Sequence, residues 1–366
     1  MKKYWVACIG CCLATSAVAQ IVIGQTAGFT GAVAASVKET LDGAVLFIDA
    51  VNARGGVNGQ RIELISMDDK FDPITAASNA RTLVLEKKAV ALFLTRGTPH
   101  TEAIMKEIVS LQVPIIAPST GAMSLHRPVN PWVFNVRSTY QGEARKAVGL
   151  LKSIGVDRIG VLYRDDSFGE DVATGANIGF ESEKLKPVFV SKFDRTKPDF
   201  SQLGAETLRT APQALLIIGG GTEVVAATKA VRATGSRAQI VTVSNNAASG
   251  FIKSMGDLGP GTVVTQVFPY ERSPSSPLVK EATTLARLKK MELTPAMLEG
   301  FAGAKVLVEG LRKAGVKPTG DRIRAALETL RNFDVGGLDV SYSATDHTGI
   351  EFTDLSIIGK DGRFRR

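Results

Sequence analysis

Cysteine is almost missing from this chain. Of 366 residues three are cysteine, and all three (Cys8, Cys11, Cys12) stand within the first twelve. Beyond them there is no thiolate nucleophile, no cysteine metal site and no disulfide. A chain of this length buries enough apolar surface to fold without such staples. Histidine is scarce too: His100, His126 and His347 are isolated and lack metal-ligand spacing, so each reads as a surface or capping residue rather than a base. No P-loop, G-x-G-x-x-G fingerprint or G-x-S-x-G elbow occurs. The run Gly219-Gly220-Gly221 lacks the following lysine and Ser/Thr of a phosphate cradle. The formal charge of +8 is spread among acids, as in Glu63, Asp68, Asp69 and Lys70. Without a basic block carrying interleaved aromatics, nucleic acid is a poor partner.

What is present begins at the N-terminus. Lys2 and Lys3 form a positive start, an apolar run extends from Tyr4 to Ala14, and Thr15-Ser16-Ala17-Val18-Ala19 supplies small residues at the positions a signal peptidase inspects. This predicts an export signal over residues 1–19, cleaved after Ala19, and a periplasmic product. The apolar run is too short to span a bilayer, and no later segment replaces it. Lipidation at Cys11 is disfavoured because the preceding apolar stretch is short and Cys8 stands where leucine is usual. Loss of Lys2 and Lys3 lowers the formal charge from +8 to +6.

The rest alternates strand and helix. Ile21–Gly24 is a short apolar strand, and Val37, Leu41, Val45, Ile48 and Val51 recur at helical spacing until Gly55-Gly56 ends the helix. Asp72-Pro73 is a cap followed by a first-turn proline. The fully apolar run Ala214–Ile218 reads as a buried parallel strand. Two such units lie side by side, Ile21 to about Val136 and Glu143 to about Val267. Three helices then follow (Ser276–Lys290, Pro295–Ala314, Gly320–Arg331), and Leu338–Tyr342 and Glu351–Gly359 form a hairpin-like ending. The fold class expected is α/β, with doubly wound parallel sheets covered on both faces. The late helices have no sheet of their own and must pack back on an earlier unit.

In open parallel sheets, ligands bind beyond the carboxyl ends of the strands. In the first unit these ends lead into Gln25-Thr26-Ala27-Gly28, Thr95-Arg96-Gly97-Thr98 and Pro118-Ser119-Thr120-Gly121. In the second they lead into Asp165-Asp166-Ser167-Phe168, Gly219-Gly220-Gly221 and Ser244-Asn245-Asn246. Hydroxyls, amides and glycine at helix starts favour an anion such as a carboxylate, and Arg96 can add a bidentate contact. The acidic pairs Asp68-Asp69 and Asp165-Asp166 suit capping better than a cation.

Several segments resemble the type I periplasmic binding proteins, which include the branched-chain amino acid receptors of ABC importers. Asp49-Ala50-Val51-Asn52-Ala53-Arg54-Gly55-Gly56-Val57-Asn58-Gly59 is similar to that family's Asn-x-x-Gly-Gly stretch. Asp68-Asp69 with Asp72-Pro73, Val113–Ser119, Asp165–Gly169 and Pro198–Ser201 follow in the family's order. The resemblance implies two lobes joined by three hinge crossovers near Arg137–Tyr140, Thr265–Phe268 and Gly336–Tyr342. One lobe is then 20–138 with 268–338, and the other 139–267 with 339–366. It also implies a monomer that closes around a small solute, delivers it to a membrane permease, and has no catalytic residue, metal or cofactor. The ligand residues expected at these strand ends are Thr26, Arg96 (where the family has serine), Gly97, Thr98, Ser119, Thr120 and Gly121 from the first lobe. From the second come Tyr140, Phe168, Gly221, Ser244 and Asn245. The family's acid for an ammonium group is replaced by Ser244-Asn245-Asn246 and its cleft aromatic by Gly221. An arginine without an acid suggests a ligand without an α-ammonium. A ligand-sensing protein is the first rival reading, and a secreted hydrolase using His100 or an acidic pair the last.

Overall fold

A computed structural model describes residues 20–366; the expected export signal lies outside the described residues. The first unit runs β1 (Gln20–Ala27), α1 (Ala34–Ala53), β2 (Arg61–Asp68), α2 (Pro73–Leu85), β3 (Ala91–Phe93), α3 (Thr98–Leu111), β4 (Ile115–Ile116) and β5 (Val133–Phe134). Its five strands pair in parallel in the order β2-β1-β3-β4-β5. The second runs α4 (Tyr140–Ser153), β6 (Ile159–Arg164), α5 (Ser167–Ser182), β7 (Phe189–Phe193), α6 (Ser201–Thr210), β8 (Ala214–Ile218), α7 (Gly221–Ala233), β9 (Gln239–Thr242), α8 (Ser249–Met255) and β10 (Val263–Gln266). Then come α9 (Pro277–Leu288), α10 (Pro295–Ala314), α11 (Gly320–Leu327), β11 (Phe333–Asp334), β12 (Asp339–Val340), β13 (Asp354–Ile358) and β14 (Phe364–Arg365). The second sheet is ordered β14-β13-β10-β9-β8-β6-β7, with β13 and β14 running antiparallel to their neighbours. The fold is thus two doubly wound α/β lobes.

Side-chain caps start several of the helices. Asp72, Thr139, Asp166, Ser276 and Thr294 each accept a bond from a first-turn N–H of α2, α4, α5, α9 and α10, satisfying donors that a helix leaves free. The late helices pack on the first sheet in one apolar core. There α10 lies against α1 at backbone distance. A Cβ on Gly43 would stand 1.9 Å from the Met297 carbonyl oxygen, and one on Gly300 1.8 Å from that of Thr40. Only glycine permits this approach, and it fixes the neighbouring Glu299 beside the strand ends of the first lobe.

The chain ending differs from expectation. β12 pairs with β11 rather than with β13, and β13 forms its hairpin with β14. The third crossing is also later than Gly336–Tyr342. Tyr342 is buried and donates to the Asn135 carbonyl at 2.5 Å, His347 stacks on Phe134 at 4.0 Å, and the Ile350 N–H bonds the Val136 carbonyl at 2.8 Å. Residues 339–350, expected in the second lobe, therefore pack on the first, and the crossing falls at 351–354. Burial of Tyr342 and Ile350 outweighs the hairpin-like strand spacing.

Candidate functional site

The strand ends of the two lobes face each other across a closed cleft. Arg96 follows β3, is 5% exposed, and points into it. Its guanidinium donates to Ser119 Oγ (2.7 Å) and Ser36 Oγ (3.1 Å) in its own lobe, and to the Asn245 carbonyl (2.9 Å) in the other. Among the described residues no carboxylate lies within 4.0 Å of it. Ser119 in turn donates to Glu299 Oε1 at 2.6 Å. Arg96, Ser119 and Glu299 thus form a relay with a charge of each sign at its ends. This overturns the expectation that the site has no acid. Glu299 comes from the face of α10, which no survey of loops after strands reaches.

A second buried arginine lies at the first crossover. Arg137 and Glu143 are an ion pair with side chains 1% and 0% exposed. Arg137 also donates to Ser244 Oγ at 2.6 Å and lies 4.5 Å from the centre of the Tyr140 ring. Glu143 accepts from the Ser244 N–H and hydroxyl, both at 3.0 Å, and from Thr265 Oγ1. Burial opposes the charge on Arg137, but Tyr140, Glu143 and Glu299 around it hold its pKa above the ordinary arginine value. Burial also raises the Tyr140 hydroxyl.

Further along the cleft the chemistry becomes aromatic. Phe71, from the first lobe, stacks on His100 at 4.2 Å. The guanidiniums of Arg195 and Arg164, from the second lobe, lie 5.3 and 5.7 Å from the Phe71 ring centre. Arg195 also donates to the Phe71 carbonyl at 2.9 Å. Arg164 is 5.1 Å from the Phe168 ring, which meets Tyr140 edge-on at 5.0 Å. Asp166 caps α5 and lies 2.8 Å from Arg164 Nε. Burial, with Arg195 and Arg164 nearby, pushes the His100 imidazole down to about 4. Under Phe71, burial pushes Asp69 up to about 6.

The other candidates divide into cleft and scaffold. Gly221 and Asn245 line a void of about 40 Å³ between the lobes, with Ser36 opposite and Phe251 beside them; Phe251 supplies in space the aromatic that Gly221 lacks in sequence. Ser244 and Glu299 border a void of about 10 Å³ near the second crossover. Gly97 caps α3 with φ +92°, and a Cβ there would meet His100 Nδ1 at 2.6 Å. The Thr98 and Thr120 hydroxyls bond each other at 2.7 Å. Gly121 underlies the first crossover, accepting from the Tyr140 N–H at 2.8 Å. Thr26 is not at the cleft. β1 continues through Ala27, and Thr26 pairs with Met67 inside the sheet, bonded to Asp69 and Asn79 at 3.2 Å each. Sequence reasoning missed Ser36, Arg164, Arg195 and Phe71 as cleft residues. A larger cavity of about 1160 Å³, between α4 and β13, touches none of the twelve candidates.

Other contacts join the lobes. Glu39 accepts from the N–H groups of Ser249 and Gly250 at 3.0 Å and from the Ser249 hydroxyl at 2.6 Å. Ser167 Oγ donates to Glu102 at 2.6 Å.

Two α/β lobes whose strand ends close on a polar cleft define a ligand-binding protein of the two-lobed receptor class. The chain belongs to the periplasmic binding protein family: the family model of that description matches residues 20–357. It is 23% identical to a Leu/Ile/Val-binding protein homolog of Brucella melitensis, over 91% of this chain and 89% of that one. It is 27% identical to an amino acid binding protein of Pseudomonas aeruginosa, where the match covers 57% of this chain and only 56% of that relative. A solved substrate-binding periplasmic protein of Ralstonia solanacearum superposes with TM-score 0.85 at 29% identity, covering 94% of this chain and 99% of that one. Among the described residues no helix is long and apolar enough to cross a membrane.

Proposed function

We propose that this chain is an exported solute receptor that closes around a small carboxylate, or an amino-acid-like compound, and delivers it to the permease of an ABC importer. The observation that carries the ligand class is Arg96. Among the described residues its buried guanidinium is met by two hydroxyls and one carbonyl, and a ligand carboxylate supplies the charge these lack. Ser119 serves both the carboxylate side and Glu299, so a ligand ammonium also finds an acid here. Closure follows from hinge bending at the three crossovers, with ligand contacts from both lobes favouring the closed arrangement.

The test is calorimetric titration with amino acids and simple carboxylates, chosen by a thermal-shift screen. Arg96→Ala is expected to weaken the best acid on the order of a hundredfold. Equal affinity in the variant overturns the assignment of Arg96 to the carboxylate.

A further inference from the structure

Away from Arg96 the two lobes meet helix on helix, and this inference rests on the hinge reading above. α8 lacks a cap of its own. The residue before it is Ala248, which has no side-chain acceptor for the N–H groups of the first turn. The acceptor comes from the other lobe. Glu39 of α1 takes the N–H groups of Ser249 and Gly250, each at 3.0 Å, and the Ser249 hydroxyl at 2.6 Å. The start of a helix favours an acid. The adjacent Lys38 pairs with Asp42 within its own lobe instead.

Shape supports the same contact. Gly250 stands so close to α1 that a Cβ there would lie 2.3 Å from the Ala35 Cβ. A residue without a side chain is what lets α8 come within reach of Glu39. α1 has little room to yield, because Gly43 and Gly300 already bring it to backbone distance of α10. The contact therefore exists only when the lobes are together. Opening carries Ser249 and Gly250 away with the second lobe and returns their N–H groups to water. None of these bonds runs through a residue assigned to the solute.

We infer that Glu39 is a latch: it caps α8 from across the cleft and holds the lobes together whether or not a solute is bound. The solute then supplies only part of the free energy of closure. The experiment uses residues 20–366, which contain no cysteine. Spin labels are placed on Ile74→Cys and Lys197→Cys, exposed positions just beyond β2 and β7. Distances are read by double electron–electron resonance with no solute added. The parent should show a population at the short distance of the closed structure. Glu39→Ala should lower the ratio of short to long distances at least about fivefold. Lys38→Ala should leave it unchanged. Gly250→Val should abolish the short distance, since its side chain has no room beside Ala35. Melting curves confirm that each variant folds. A parent with only the long distance overturns the latch and leaves the hinge standing, as does a Glu39→Ala that matches the parent while Gly250→Val opens. The short distance alone in the parent, Glu39→Ala and Gly250→Val means that the lobes do not part, and overturns both.

Discussion

Two arginines are buried in the same cleft and neutralised in opposite ways. Arg137, at the first crossover, has a carboxylate in direct contact, and Glu143 is itself held by Ser244 and Thr265. Arg96, at the strand end of the first lobe, has hydroxyls and a carbonyl, with its nearest acid one serine away. A fully paired charge has little left to offer a ligand and ties the first crossover to Ser244 and Thr265. An incompletely paired one retains capacity for an anion. On the function proposed above, Arg137 belongs to the scaffold and Arg96 to recognition, within a cluster that looks uniformly polar.

The sharpest way to break it is to remove the acid. Glu143→Ala leaves Arg137 buried without its partner and strips acceptors from Ser244 and Thr265. A loss of about 3–5 kcal/mol in unfolding free energy is expected, read by denaturant titration. The matching change at the other arginine should behave differently. Arg96→Met puts an apolar chain of similar length in place of a partly paired buried cation. It should leave unfolding free energy within about 1 kcal/mol of the parent, while affinity for the acid falls as it does in Arg96→Ala. If Arg96→Met destabilises as much as Glu143→Ala, the division into scaffold and recognition fails.

How much of this was legible depended on how local the signal was. Asp72 and Asp166 announce their helices because a cap acts within three residues. Arg96 and Ser119 were readable because strand ends and glycine loops are local too. Glu299 was not, because its role depends on the close approach of α10 to α1 through Gly43 and Gly300. The one trace was an acid inside the otherwise apolar stretch Pro295–Ala304. The third crossing was misplaced for the same reason, since only tertiary packing shows that Tyr342 and Ile350 belong to the first core. Arg164, Arg195 and Phe71 lie on three separate segments, and no spacing links them.

The aromatic end of the cleft allows a comparison by pH. Asp69 titrates near 6 in the folded protein against an ordinary 3.8, so its charge costs stability above pH 6, and the cost fades as pH falls toward 4. His100 runs the other way. Its folded value of about 4 lies below the ordinary 6.5, so stability is lost as pH falls from 6.5 toward 4. Relative to the parent, Asp69→Asn should be most stabilised at pH 7, on the order of 2 kcal/mol, with the gap closing by pH 4. His100→Gln should gain on the parent as pH falls across the same window. Urea titrations at pH 7, 5.5 and 4.5 read both slopes. Parallel curves for either variant would mean that its group is not held in the buried setting described.

The smallest effect tests the boundary between cleft and core. Thr26 has the residue type and the strand-end position of a ligand contact, yet the strand runs one residue beyond it. Its hydroxyl donates to Asp69 and accepts from Asn79 inside the first lobe. Thr26→Val keeps the shape and removes both bonds, which should cost about 1 kcal/mol of stability. Affinity for the acid should stay within about twofold of the parent, because nothing in the cleft touches this hydroxyl. A tenfold loss of affinity with unchanged stability would return Thr26 to the ligand site and would require β1 to end short of it in the liganded protein.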